Sequence, residues 1–282
     1  MTAELQVDVS AGVAVLTLNR PAQQNAFTPE MTAALSAAFH RCDIEDAIRA
    51  VVVTGTPPAF CAGADLSAKG RGDDDLPASG AAISPPAWAI RKPVIAAVNG
   101  HAVGLGLALA LQCDLRYMAS DAVYGMVQVR RGALPDGFAH WTLPRLIGVA
   151  NAADLLFTGR TFDGDEAQAM GMANAVLPAG EVLPTALAVA EDLAASSAPL
   201  SVGLSKRLLW ESQFMRPAAV ARLENELQRH IAGQPDATEG VAAYLERRPP
   251  NWTGSISRSW PSWDPQTGAV TTPPELPPAP QR

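Results

Sequence analysis

Val98-Asn-Gly-His-Ala-Val-Gly-Leu-Gly-Leu-Ala108 is the stretch of the 282-residue sequence that decides the fold. It begins at the end of a short apolar run, Val94 to Val98, which predicts a buried strand. Glycines at positions 100, 104 and 106 then let the chain turn sharply into an apolar helix from about Leu107 to Gln112. The first N–H groups of a helix lack an intrahelical acceptor and favour nearby negative charge. The pattern therefore predicts free backbone donors at this turn.

An earlier turn has the same design. Ala50 to Thr54 predicts another buried strand, Gly55 to Pro58 ends it, and Phe60-Cys-Ala-Gly-Ala-Asp-Leu66 follows. Together, the two turns can aim two backbone N–H groups at one oxygen atom. Turns rich in glycine also occur between strands and helices merely to allow close packing, so either turn alone is equally consistent with a structural role.

Six motifs in a fixed order resemble the crotonase superfamily, the enoyl-CoA hydratase/isomerase family. The likeness runs from about Leu5 to Trp252, and the ordered set carries it rather than any single motif. The motifs are Asn19-Arg-Pro-Ala-Gln-Gln-Asn-Ala26, Phe60-Cys-Ala-Gly-Ala-Asp65, Lys92-Pro-Val-Ile-Ala-Ala-Val-Asn-Gly-His101, Cys113-Asp-Leu115, Leu143-Pro-Arg-Leu-Ile-Gly148 and Thr238-Glu-Gly-Val-Ala-Ala243.

The resemblance implies an α/β fold, a crotonase-like spiral of ββα units with a C-terminal helical trimerisation region. The spiral core is expected over residues 1–198 and the helical cap over residues 199–256, with helices at 182–196, 201–214, 217–231 and 238–246. Family members associate as homotrimers, often as dimers of trimers, and the same is expected here. Residues 257–282 are rich in proline and poor in apolar side chains, which predicts a disordered tail.

The resemblance also implies the substrate and the site. The N–H groups of Ala64 and Leu105 are expected to hold the thioester oxygen of an acyl-CoA and so to stabilise an enolate. The residues expected to bind the substrate around them are Ala62, Asp65, Leu66, Gly104, Gln128 and Trp141. Coenzyme A enters as part of the thioester substrate, so no separate cofactor is expected.

The acid or base group decides which reaction is catalysed. Hydratases that resemble this chain carry glutamates at the positions of Ala108 and Gln128, and neither alanine nor glutamine can shuttle a proton. Several isomerases and a dehalogenase of the superfamily carry a catalytic acid at the position of Asp136. The expected activity is therefore that of an enoyl-CoA isomerase with Asp136 as the acid/base group.

Three alternatives remain open from the sequence. Leu134-Pro-Asp-Gly137 is also a favourable β-turn, which would give Asp136 a purely structural role. An enoyl-CoA hydratase could use a non-standard base, such as His140 or a bound water. A catalytically silent paralogue could bind acyl-CoA without chemistry.

Composition bounds the remaining possibilities. A formal net charge of -7 argues against nucleic acid as a partner. The apolar runs are too short and too rich in glycine to span a bilayer, and the N-terminus lacks a basic region, so a cytoplasmic location without membrane association is expected. The well-separated cysteines, Cys42, Cys61 and Cys113, favour reduced and buried side chains.

Two further expectations concern charged and polar segments. Asp73 to Asp75 cannot all converge on one ion, so no metal site is expected. Residues 67–88 are polar and lack a long period, which predicts a flap near the acyl pocket or an inert loop. The cations offered for the CoA phosphates are Arg20, Arg91, Lys92, Lys206 and Arg207.

Overall fold

The computed structural model describes residues 4–66, 82–264 and 270–271. The chain divides into two compact units, Met1–Ala195 and Ser196–Arg282, a division close to the predicted end of the core at residue 198. The predicted flap falls mainly on residues 67–81, and these, like Asp73 to Asp75, lie outside the described residues.

The first unit has an α/β architecture, as predicted. Its strands are β1 (Leu5–Ser10), β2 (Val13–Leu18), β3 (Ala50–Gly55), β4 (Ala59–Cys61), β5 (Val94–Val98), β6 (His101–Val103), β7 (Leu115–Ala119), β8 (Tyr124–Gly125), β9 (Thr161–Phe162) and β10 (Ala175–Leu177). Its helices are α1 (Pro29–Ile44), α2 (Leu105–Gln112), α3 (Ala139–Thr158), α4 (Gly164–Ala169) and α5 (Ala179–Ser196).

The strands form two sheets. A six-stranded sheet has the order β1-β2-β3-β5-β7-β10, in which β1 and β2 are the predicted antiparallel hairpin and the other pairs are parallel. A four-stranded sheet has the order β4-β6-β8-β9. From β5 to β8, successive strands belong alternately to the six-stranded and the four-stranded sheet. Strands β5 and β6 with α2 form one ββα unit, and β7 and β8 with α3 form the next. The predicted repeat of ββα units is confirmed.

Local sequence signals explain where the helices of this unit begin. Thr28 caps α1, because its side-chain oxygen accepts a hydrogen bond of 3.0 Å from the Met31 N–H, and Pro29 occupies the first helical position. Helix α2 is buried along its whole length, as its nearly continuous apolar sequence predicts, and it begins at Leu105, two residues before the predicted start.

The second unit contains the predicted C-terminal helices. They are α6 (Pro199–Ser212), α7 (Pro217–Ala232), α8 (Pro235–Glu246) and the short α9 (Ile256–Ser259), and they are followed by the two-stranded sheet of β11 (Ser262–Trp263) and β12 (Val270–Thr271). Leu200, Leu204, Leu223 and Leu227 form its buried apolar cluster. Among the described residues, no helix combines the length and apolar character needed to cross a bilayer.

The predicted disorder of residues 257–282 is wrong for their described part. Trp260 and Trp263 pack against the leucine cluster of the second unit, and the indole N–H of Trp263 donates a hydrogen bond of 2.7 Å to Glu211. Two tryptophans bury enough area to order a segment whose average composition is that of a tail. Residues 265–269 and 272–282 lie outside the described residues.

The cysteines are free and buried, as predicted. Burial raises the pKa of the Cys42 thiol to about 11 and that of the Cys61 thiol to about 12. At pH 8 roughly one Cys42 thiol in a thousand is therefore ionised. We expect a thiol reagent such as dithionitrobenzoate to label these two cysteines slowly at pH 8 and rapidly after unfolding in urea. Equally rapid labelling of the native protein would contradict their burial.

Candidate active site

Three parallel strands bring the two predicted turns together. Strand β4 pairs with β6, and β6 pairs with β8, in both cases in parallel. Because parallel neighbours end at the same edge of a sheet, the segments that follow them emerge side by side. Those segments are the turn 62–66, the start of α2 at Leu105, and the 3₁₀ helix Val127–Arg131.

The geometry of its turn points the N–H of Ala64 away from the residues that pair with its neighbours. Phe27 bridges to this turn: its N–H donates to the Gly63 carbonyl at 2.7 Å, and its carbonyl accepts from the Asp65 N–H at 2.9 Å. These bonds use the groups on either side of Ala64, so the Ala64 peptide faces away from Phe27. No acceptor for the Ala64 N–H exists among the described residues.

The N–H of Leu105 lies at the start of α2, where N–H groups lack an intrahelical acceptor. The first intrahelical bond of α2 runs from the Ala108 N–H to the Gly104 carbonyl, so the Leu105 N–H has no acceptor within the helix. Within the described part of the chain it has none outside the helix either. Gly63 lies close to this group, since a methyl group added at Gly63 would be 3.7 Å from the Leu105 nitrogen.

Both peptides line a cavity of about 150 Å³. Seven residues named from the sequence meet there, namely Ala62, Ala64, Leu66, Gly104, Leu105, Gln128 and Asp136. The other lining residues were not named as site residues from the sequence, namely Gly63, Val103, Val127, Arg131, Ala133 and Leu134. Most of these are apolar and carry no chemical signature, so only their position in the fold reveals them.

Asp65 does not line the cavity and instead anchors the Ala64 turn. Arg20 donates to the Asp65 carboxylate at 2.9 Å and to the Ala26 carbonyl at 2.6 Å, and it pairs with Glu4 at 3.1 Å. The Arg20 guanidinium thus links Glu4 and Ala26 to the turn that carries Ala64. Its side chain is only 16% exposed and that of Asp65 13%.

Arg20→Met is expected to lower the free energy of unfolding by about 3 kcal/mol, because it leaves a largely buried carboxylate without its partner. Arg41→Met is the matched control: Arg41 pairs with Glu45 at 2.8 Å, but the two side chains are 48% and 42% exposed. Such a surface pair contributes about 0.3–0.5 kcal/mol. Urea denaturation measures both values, and equal losses in the two variants would contradict the anchoring role of Arg20.

Asp136 lies in a turn with an unusual backbone. The next two residues, Gly137 and Phe138, have φ angles of 65° and 67°, and α3 begins directly after them. The Gln112 side chain fixes this turn by donating a hydrogen bond of 3.0 Å to the Gly137 carbonyl. Gln112 was missed by sequence reasoning, although a single glutamine at the end of the apolar helix α2 was the signal.

Trp141 does not line the cavity either. Its ring packs with Trp88 at a centroid distance of 4.8 Å, and Trp88 meets Phe138 edge-on at 4.6 Å. Arg145 lies over the Trp141 ring at 4.7 Å. The aromatic cluster therefore packs around Phe138, close in sequence to Asp136, where it supports the turn rather than the cavity wall.

Ala108 and Gln128 differ in their surroundings. Ala108 is fully buried inside α2 and does not reach the cavity. Gln128 lies in the cavity wall, and both polar atoms of its carboxamide are buried without a hydrogen-bond partner among the described residues.

Neither His101 nor His140 is among the residues that line the cavity. His101 accepts a hydrogen bond of 2.8 Å from the Val123 N–H through Nδ1, and His140 is exposed outside the cavity. Across the described part of the chain, no three His, Cys, Asp or Glu side chains are grouped to hold a metal ion.

Three of the candidate cations for CoA, namely Arg91, Lys92 and Arg207, are engaged within the protein. Arg91 pairs with Asp43 at 2.8 Å, and the ammonium group of Lys92 is buried and donates to the carbonyls of Glu45 and Ile48. Burial lowers the pKa of Lys92. In the second unit, Arg207 pairs with Glu211 at 2.5 Å.

Among the described residues of this α/β protein, two turns that follow parallel strands carry N–H groups without a partner, at Ala64 and Leu105, and line one cavity together with Asp136. Residues 8–255 match the family model described as enoyl-CoA hydratase/isomerase. The chain belongs to this family, and its fold is the crotonase fold.

Individual relatives carry different activity names. A crystal structure of a probable enoyl-CoA hydratase/isomerase from Mycobacterium abscessus is 46% identical, with a TM-score of 0.86 over 90% of this chain and 100% of that one. A probable enoyl-CoA hydratase of Mycobacterium leprae is 35% identical over 88% of this chain and 96% of its own length. The 1,2-epoxyphenylacetyl-CoA isomerase of Escherichia coli is 34% identical over 87% of this chain and 97% of its own length.

Proposed function

We propose that the protein is an enoyl-CoA isomerase in which the N–H groups of Ala64 and Leu105 hold the thioester oxygen and Asp136 transfers the proton. The observation that carries this proposal is the position of Asp136, which lines the same cavity as Ala64 and Leu105. The two positions at which resembling hydratases carry glutamates hold Ala108 and Gln128 instead.

The reaction moves one proton from carbon 2 to carbon 4 and needs no other reactant. The Asp136 carboxylate removes a proton from carbon 2 of a 3-enoyl thioester, and the electron pair spreads over a dienolate whose negative charge resides largely on the thioester oxygen. The two N–H groups stabilise that charge, and each is expected to raise kcat by a factor of about 10²–10³. Asp136 then returns the proton to carbon 4, which leaves the double bond between carbons 2 and 3.

An enoyl-CoA hydratase is the second candidate, and the names of relatives favour it, since most of those compared are called hydratases. Hydration needs one group to activate water and one to deliver the proton to carbon 2. Asp136 is the only carboxylate among the described residues that line the cavity, which supports a reaction that moves one proton back and forth.

Product analysis separates these activities. With a 3-enoyl-CoA, the purified protein is expected to give the conjugated 2-enoyl-CoA, followed by its ultraviolet absorbance. With a 2-enoyl-CoA in isotopically labelled water, we expect no labelled 3-hydroxyacyl product by mass spectrometry. Labelled product without migration would establish the hydratase instead. Binding of acyl-CoA with neither product, across a panel of acyl chains, would establish the silent paralogue.

The remaining parts of the proposal concern partners. Acyl-CoA is the substrate, and coenzyme A enters with it, so the proposal includes no separate cofactor. A homotrimer or a dimer of trimers, and a cytoplasmic location, stay predictions from the sequence.

A further inference from the structure

Helix α2 connects the peptides proposed to hold the thioester oxygen to the turn that carries Asp136. Its first residue, Leu105, supplies one of the two N–H groups, and its last residue, Gln112, lies about 10 Å further along the helix axis. Every residue of α2 is buried. A methyl group added at Gly106 would clash with the Cys61 carbonyl oxygen, so the start of the helix is packed directly against β4. The helix therefore cannot shift without disturbing the core around it.

Gln112 joins α2 to the turn that carries Asp136. Its Nε2 donates a hydrogen bond of 3.0 Å to the carbonyl of Gly137, the residue after Asp136. Gly137 and Phe138 both have left-handed φ angles, a conformation that costs free energy for a residue such as phenylalanine. The Gly137 carbonyl precedes the N-cap residue Phe138, so α3 offers it no N–H donor. The nearby bond from the Ala139 N–H to the Asp136 carbonyl is long, 3.3 Å, and the Gln112 amide is the stronger anchor of the turn.

Stability alone does not explain a glutamine at position 112. The side chain is fully buried, and its Oε1 has no hydrogen-bond partner among the described residues. An unmatched buried acceptor costs at least as much free energy as a typical hydrogen bond contributes, so the bond from Nε2 and the unmatched Oε1 largely offset each other. The amide provides something that an apolar side chain cannot, namely one donor at a defined place beside Asp136.

We infer that Gln112 is a positioning residue, which holds the Asp136 turn at a fixed distance from the Leu105 N–H through α2. Asp136 and Leu105 line the same cavity, whereas Gln112 does not line it. Proton transfer requires the carboxylate to be within reach of carbon 2 while the N–H groups hold the thioester oxygen. One end of α2 supplies the N–H and the other end holds the turn, so the helix fixes both groups relative to each other. This inference rests on the proposed function, because it concerns proton transfer by Asp136.

Gln112→Met tests the inference, because methionine has a similar length and shape but donates no hydrogen bond. With a 3-enoyl-CoA, kcat is expected to fall about ten- to a hundredfold, since a misplacement of about 1 Å can cost on the order of 10² in rate. KM is expected to change little, because the Ala64 and Leu105 N–H groups remain. Gln112→Leu is a second replacement with the same expectation, and circular dichroism establishes that each variant is folded. A wild-type kcat in a folded variant, or failure of both variants to fold, would overturn the positioning role.

Tyr124→Phe is the matched control, because it removes a bond of the same kind elsewhere in the core. The Tyr124 side chain is buried, its hydroxyl donates a hydrogen bond of 2.7 Å to the Ala119 carbonyl, and it does not line the cavity. This variant is expected to lower the midpoint of urea denaturation at least as much as Gln112→Met does and to keep the wild-type kcat. Equal losses of kcat in the two variants would show that general destabilisation explains the effect of Gln112.

Combining Gln112→Met with Asp136→Asn tests whether Gln112 acts through Asp136. Once that carboxylate is absent, a residue that only positions it has nothing left to position. Gln112→Met is therefore expected to leave the residual rate of Asp136→Asn unchanged, measured at high enzyme concentration. Independent effects would multiply instead, and a double variant slowed by the full factor of each change would overturn the inference.

These assays distinguish the failure of this inference from the failure of the proposed function. If the wild type shows no double-bond migration, or if Asp136→Asn keeps the wild-type kcat, the proposed function is wrong and the positioning role fails with it. If migration depends on Asp136 but not on Gln112, only the positioning role is wrong.

Discussion

Replacing Asp136 by asparagine is expected to lower kcat for double-bond migration by about 10²–10⁴, the usual contribution of a positioned acid/base group. Asparagine keeps the shape of the side chain and the turn before Gly137 but cannot take a proton from carbon 2. The affinity for acyl-CoA should change little, because the Ala64 and Leu105 N–H groups remain. Steady-state kinetics with a 3-enoyl-CoA, together with calorimetric binding, measure both effects.

Asp121→Asn is the matched control for this experiment, because Asp121 is exposed and lies outside the cavity. Its kcat is expected to equal that of the wild type. Turnover by Asp136→Asn within a few-fold of the wild type would remove Asp136 from the mechanism and leave its role in the β-turn as the better explanation.

Gly63→Ala is expected to lower kcat by about 10²–10³, the loss for one donor to a developing oxyanion. Gly63 has a φ of 101°, and a methyl group there would lie 2.8 Å from the Val103 carbonyl oxygen. The turn must shift to relieve this contact, and the shift moves the neighbouring Ala64 N–H away from the thioester oxygen. Kinetics and calorimetry with the same thioesters would record the change.

Backbone strain alone is tested by Gly171→Ala. Gly171 has a φ of 79°, but a methyl group there would meet nothing closer than 3.9 Å and would lie outside the cavity. This variant is expected to lose about 1–2 kcal/mol of stability through the left-handed conformation and to keep its kcat. An equal loss of kcat in both variants would show that destabilisation, rather than the Ala64 N–H, explains the effect at Gly63.

Local signals made the two turns predictable. Each turn is marked within a few residues by a short apolar strand and by glycines, at position 63 in the first turn and at positions 104 and 106 in the second. The apolar sequence of α2 likewise indicates a buried helix. Strands β8 and β9 have two residues each, too few to produce a period, so local patterns did not predict them. Gln128, which follows β8, was placed at the site only by the family resemblance.

Contacts between distant segments could not be read from the sequence. The hydrogen bond from Gln112 to the Gly137 carbonyl joins residues 25 positions apart, and neither segment carries a sequence pattern that indicates the other as its partner. Asp65 was predicted to bind the substrate because of its position in a motif, and Trp141 because a large aromatic side chain can line an acyl pocket. The structure pairs Asp65 with Arg20 and packs Trp141 with Trp88. Motif position specifies the neighbourhood of a side chain, but packing decides which way it faces.

A crystal structure with a bound, unreactive acyl-CoA analogue would test the central claim most directly. It is expected to place the thioester oxygen about 2.7–3.1 Å from the backbone nitrogens of both Ala64 and Leu105, the distances typical of an oxyanion hole. A thioester oxygen bound elsewhere, or a bound state in which either N–H is paired with the protein, would contradict the account.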